Sequence, residues 1–425
     1  MFPRQVKRLF IAALLLPAIA SATPDKYVGT GSCSSSNCHG SVSPRKASNV
    51  LQNEYYTWLK HDKHSQAYTV LLKADAKRMA SLMGLGEPSK EPLCLKCHAT
   101  YVPSPEQRGA KNSVEDGVSC ESCHGAAERW LETHAVAGVT HQQNLANGLA
   151  DTASLDKRAQ LCVSCHYGDS NKRVTHNLYG AGHPRLSFEL DTYGVLEPKH
   201  WVVDEDYIKR KGPYVPLAAW FIGQEALAES AVATLRSPEL SRNGTFPELS
   251  IFDCYSCHHS LADAQWKRRD YGGKPGRLSV NIASLVMLQH ALAAIDRPLA
   301  EELGNLTATI QEQFQANGAT EALQKTQELL KGSIRPMVMK MAADEKSSRA
   351  VMKELCLFGT AAVSPKYEVA EQIGMGIQAA MATSPILAKR HKASLDKLFA
   401  TLAKPDAFNP EAFVKAAKTL SAELS

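Results

Sequence analysis

Five times within the first 258 residues, two closely spaced cysteines are followed at once by a histidine. Four of these units read Cys-x-x-Cys-His: Cys94 and Cys97 before His98, Cys120 and Cys123 before His124, Cys162 and Cys165 before His166, and Cys254 and Cys257 before His258. At this cysteine and histidine content, chance supplies about 0.01 such units in a whole chain. The repetition therefore has a chemical reason. Two thiols one short loop apart can add across the two vinyl groups of a haem, and the histidine that follows is then drawn beneath the iron as a ligand. A chain built this way can hold several haems without a deep pocket for each.

The fifth unit is wider: Cys33-Ser34-Ser35-Ser36-Asn37-Cys38-His39. The Cys-His step is intact, so the extra residues can bulge outward while the thiols and the ligand keep their places. A local disulfide is the competing reading. Haem is preferred because the unit resembles the other four, and similar wide spacing occurs in c3-type tetrahaem cytochromes. Zinc, the other usual use of paired Cys-x-x-Cys units, needs no histidine directly after every second cysteine. Ten of the eleven cysteines are thus assigned to five covalently attached haem c groups, and Cys356 is read as a buried helix residue.

Five of the fifteen histidines are proximal, which leaves ten as candidate second ligands. They cluster among the motifs, whereas the only methionines there are Met79 and Met83, at a spacing typical of core packing. Bis-histidine ligation is therefore expected. By context the candidates are His61 and His64, His134 and His141, and His176 and His183, with His64, His134, His176 and His183 preferred and His200 and His259 in reserve. Gly180 and Gly182 beside His183 would let the backbone approach a haem closely. His290 and His391 lie on helical patterns far from any motif and read as structural.

The N-terminus looks removable. Arg4, Lys7 and Arg8 precede an apolar run, Leu9 to Ala20, and Ala20-Ser21-Ala22 offers a cleavage signal before Thr23. That run is short of the roughly 20 residues that span a bilayer. Residues 1–22 therefore read as a signal peptide, and the mature protein as soluble and periplasmic, without an integral membrane segment. Losing three basic residues takes the formal charge from +5 to +2, which gives no reason to propose nucleic acid as a partner.

Residues 23–270 read as a pentahaem domain of short helices and turns, and residues 271–425 as a small helical bundle. The fold class expected is mainly α with little regular sheet. Helical periodicity covers Val215 to Leu235, read as amphipathic, then Leu278–Ile295, Ala300–Gln315, Ala322–Met341, Ser347–Leu357, Ala370–Ala382 and Ser394–Ala400. The C-terminal third carries no motif and is expected to be dispensable for haem attachment but not for partner binding or solubility.

The run from Cys33 to His166 resembles the cytochrome c-554/c-prime family of tetrahaem electron carriers. The shared order is a first motif, then Lys63-His64-Ser65-Gln66-Ala67, Cys94–His98, Gly117-Val118-Ser119-Cys120-Glu121-Ser122-Cys123-His124-Gly125, His134, and Cys162–His166. The resemblance implies that His64 and His134 are distal ligands and that the haem at His98 lacks a sixth protein ligand. It also implies electron transfer between redox partner proteins. The alternative is an oxidoreductase acting on a small nitrogen or sulfur compound at that open haem; Arg108, Lys111 and Tyr101 lie near it in sequence.

Overall fold

The structure is a computed structural model, describing residues 24–45, 50–241, 247–258, 277–360, 367–404 and 407–425. The expected signal peptide and His259 lie outside these residues. Among the described residues there are helices and turns but no strand, only two isolated bridges, Tyr27 to Arg108 and Phe252 to Val280. The mainly α expectation is met. No described helix is long and apolar enough to cross a membrane.

Three of the motifs form the end of a short helix: Pro92–His98, Cys120–His124 and Leu155–His166. In a helix, residues three apart lie on one face, roughly 5–6 Å between Cβ atoms, so both thiols point the same way. The fourth opens on a single turn, Cys254–Ser256, closed by a hydrogen bond from the His258 N–H to the Cys254 carbonyl at 2.8 Å. The wide motif keeps that closure. The His39 N–H donates to the Cys33 carbonyl at 3.1 Å, and the inserted residues fold into a turn in which Cys38 and Gly40 donate to the Ser35 carbonyl. No disulfide joins any of the eleven cysteines.

The N-terminal segment has little apolar interior of its own. Its one cluster is Leu71, Leu95 and Ala99, with Tyr68, Tyr101 and Val114 against it. The large core runs instead from Ala159 to Leu424, and Pro216–Arg236 lies at its centre. That helix was expected to be amphipathic; sixteen of its 21 residues are buried. A helix apolar on every side must be covered on every side. Its cover comes from Leu155–His166 and Leu190–Leu196 before it, and from Ala283–Leu292, Thr320–Leu329 and Tyr367–Thr383 after it. Residues on both sides of position 270 contribute to this core.

The C-terminal helices otherwise follow the expected pattern, with Arg297–Asn317 starting on Asp296 as its cap and ending on left-handed Gly318. The run expected over Ala322–Met341 is interrupted by a π turn at Leu330–Ile334, just before Pro336, whose ring cannot sit inside a regular helix. Two helices carried no expectation, Pro385–Arg390 and Pro410–Glu423. Cys356 is fully buried in Glu345–Gly359, as read. His290 stacks on Phe358 at 3.9 Å, and His391 is buried with its Nδ1 3.2 Å from Glu423.

Candidate metal centres

Each of the five motif histidines faces one spare histidine. The ring centroids are 6.1 Å apart for His39 and His134 (site 1), 6.4 Å for His98 and His183 (site 2), and 6.2 Å for His124 and His200 (site 3). They are 6.1 Å apart for His166 and His64 (site 4) and 6.2 Å for His258 and His176 (site 5). Two imidazoles bound to opposite sides of one metal ion should have centroids about 6 Å apart, with bonds of about 2 Å and ring radii of about 1 Å. All five pairs have the spacing of two axial ligands sharing one iron. The mutual ring angles, from 14° to 88°, do not conflict with this, because each ring can turn about its own bond.

The hydrogen bonds point the same way. Nδ1 of His98 lies 2.9 Å from the Ala67 carbonyl, that of His134 3.1 Å from the Trp130 carbonyl, and that of His183 2.8 Å from the Pro184 carbonyl. Nδ1 of His39 lies 2.9 Å from a Glu54 oxygen, and Nδ1 of His64 lies 2.9 Å from an Asp62 oxygen. Carbonyls and carboxylates only accept, so Nδ1 carries a proton and Nε2 is the nitrogen left to face a metal. Glu54 and Asp62 hold His39 and His64 above the usual imidazole value, so a metal there would displace a proton from Nε2. Burial pushes His124 and His166 down to about 4, helped by the charges of His200, His39 and His134 in the first case and of His64 in the second. Neutral imidazole is the form that binds metal. The residues present therefore fit haem iron.

Of the four preferred second ligands, His64, His134, His176 and His183 all face a motif histidine. The reserve His200 does so as well, and nothing in its local sequence marked it out. His61 is exposed, and His141 pairs instead with Asp151 at 3.2 Å. Site 2 differs from what the resemblance implied. No spare histidine is near His98 in sequence, but the segment after the fourth motif folds back and brings His183 to it.

The sites adjoin one another. Glu121 in the third motif accepts from the Val28 and Gly29 N–H groups that lead into the first, joining sites 1 and 3. Lys96 of the second motif donates to the Asn171 carbonyl at 3.0 Å, and the next residue, Lys172, reaches the Cys165 sulfur at 3.1 Å, joining sites 2 and 4. Val118, two residues before Cys120, donates its N–H to the His64 carbonyl at 3.0 Å, which places site 3 beside site 4. Tyr179 lies on the same short helix as His176, with its ring 6.4 Å from that of His183 and its hydroxyl in the field of Cys254, so sites 2 and 5 also adjoin.

The Gly117–Gly125 stretch owes its residues to this crowding. Gly117 has φ +67°, and a Cβ there would lie 2.7 Å from the His64 carbonyl oxygen. The next residue, Val118, donates its N–H to that same carbonyl at 3.0 Å. Glu121, between the cysteines of the third motif, is buried and accepts from the backbone N–H groups of Val28, Gly29 and Ala127 at 2.8, 2.8 and 2.9 Å. It ties the segment leading into the first motif onto the third.

No curated protein and no solved structure matches the chain. The family model for cytochrome c554 and c-prime matches residues 32–125, the stretch that holds the first three motifs and His64. Over residues 32–125 the chain is thus similar to cytochrome c554 and c-prime, a likeness that agrees with its repeated Cys-His units for covalent haem attachment.

Proposed function

We propose that the chain carries five haem c groups, one at each histidine pair, and passes electrons between redox partner proteins in the periplasm. The five centroid spacings of 6.1–6.4 Å carry this reading, because each leaves an iron no open position for a substrate. The haem supplies the one-electron chemistry. The chain supplies the thioether links, the axial nitrogens and the packing that keeps neighbouring sites close. The adjacencies give every site a close neighbour, and Thr100, two residues after His98, also bonds to Ser122 in the third motif at 2.8 Å. Site 2, the place for an open haem by resemblance, becomes an internal step with His183 on its far side. Export rests on the signal-like residues 1–22.

Low-temperature EPR of the oxidised holoprotein tests the ligation, and intact mass tests the count. The expected results are only low-spin ferric signals and a mass five haems above that of the chain from Thr23. A high-spin component that binds carbon monoxide on reduction would favour the oxidoreductase reading. A mass four haems above the chain, with Cys33 and Cys38 oxidised to a disulfide, would remove the wide site.

A further inference from the structure

Hydrogen bonds to the axial rings divide the sites into two classes. At site 2 both rings, His98 and His183, lie against neutral backbone carbonyls. At site 1 the motif histidine His39 lies against Glu54, and at site 4 the spare histidine His64 lies against Asp62. These carboxylates are not incidental surface partners. Glu54 sits in the first turn of Glu54–His61, which packs onto the first motif through the Tyr55 N–H and the His39 carbonyl, 3.0 Å apart. Its other oxygen accepts the Gln52 N–H at 3.0 Å. One Asp62 oxygen accepts both the backbone N–H and Nδ1 of His64, each at 2.9 Å. The two carboxylates are only 15% and 10% exposed, against 32% for Asp151 beside the unused His141, so solvent screens them far less.

We infer that Glu54 and Asp62 are positioning residues that set sites 1 and 4 at lower reduction potential than site 2. This rests on the bis-histidine reading above. A carboxylate draws the Nδ1 proton more strongly than a carbonyl does, which makes the ring a better electron donor through Nε2. A more electron-rich ligand favours the ferric over the ferrous state. Reduction at each site takes up one electron from a partner or titrant, and no bond forms or breaks. Electrons at site 4 then run downhill to the adjoining site 2.

The test is spectroelectrochemical titration of the purified holoprotein and of the variants Glu54→Gln and Asp62→Asn, with EPR on each. Both changes keep an acceptor oxygen, and the amide introduced by Asp62→Asn can still cap the turn at His64. Each variant should move one low-potential component upward by at least tenfold in its reduction equilibrium, about 59 mV for one electron. The two variants should move different components, and the double variant both. Unmoved components in variants with wild-type low-spin signals would overturn the inference, as would a single component answering to both changes. If the bis-histidine reading itself fails, the wild-type EPR already shows it, before any variant is compared.

Discussion

His200 stands across from His124, with ring centroids 6.2 Å apart and ring planes 83° to each other. The motif supplies one ring, and a loop beyond the next motif supplies the other. Replacing His200 by Ala should turn one low-spin iron high-spin and open one site to carbon monoxide. His183→Ala should do the same at site 2, while His61→Ala and His141→Ala should leave the spectrum unchanged. EPR of the four variants checks this.

Glu121 holds three buried backbone donors. Glu121→Ala strands them, at about 1–3 kcal/mol for each group left unpaired. Glu121→Gln keeps acceptor capacity for part of the set and should cost less. Thermal unfolding followed by circular dichroism should rank wild type above Gln, and Gln above Ala. The first motif should loosen first, because the Val28–Gly29 backbone leads into it.

A chain ending at residue 270 would strip Ala283–Leu292, Thr320–Leu329 and Tyr367–Thr383 from the Pro216–Arg236 helix. This gives a physical reason for expecting the C-terminal third to be needed for solubility. The truncated protein should aggregate or be degraded, since buried apolar side chains such as Trp220, which packs against Gly376, would meet water. Soluble yield of haem-stained protein measures it, and a well-folded truncation would refute the shared core.

Burial holds the Glu189 carboxyl at about 7, against the pull of the Thr192 and Asp191 N–H groups it accepts; Asp191, raised by its own burial, adds to the rise. The folded protein thus keeps a proton that the unfolded chain releases near 4.5. This contribution to stability is fully present below pH 4.5 and is lost as pH rises through 7, about 3 kcal/mol in all. Glu189→Gln should flatten that part of the pH profile and raise stability at pH 8 relative to wild type. Denaturant titrations at pH 5 and pH 8 provide the comparison.

The attachment chemistry was legible in the residue order because it is local. Two thiols and a histidine within five to seven residues need only one turn of chain, whether helical as at Cys120–His124 or looped as at Cys33–His39. The helical class and most C-terminal helices were legible too, since a period of 3.6 needs no tertiary partner to be read. Four of the five spare histidines that face a motif histidine were legible by context, but His200 and the pairings were not, because such a pair joins segments that meet only after folding. His200 faces His124 although nothing local marks it, whereas His141 faces no motif histidine. The centre of the core was also hidden: Pro216–Arg236 reads as amphipathic in sequence, and nothing local shows what covers it. Only the tertiary structure decided that helices from both halves of the chain cover it, because burying an all-round apolar helix requires neighbours on every side.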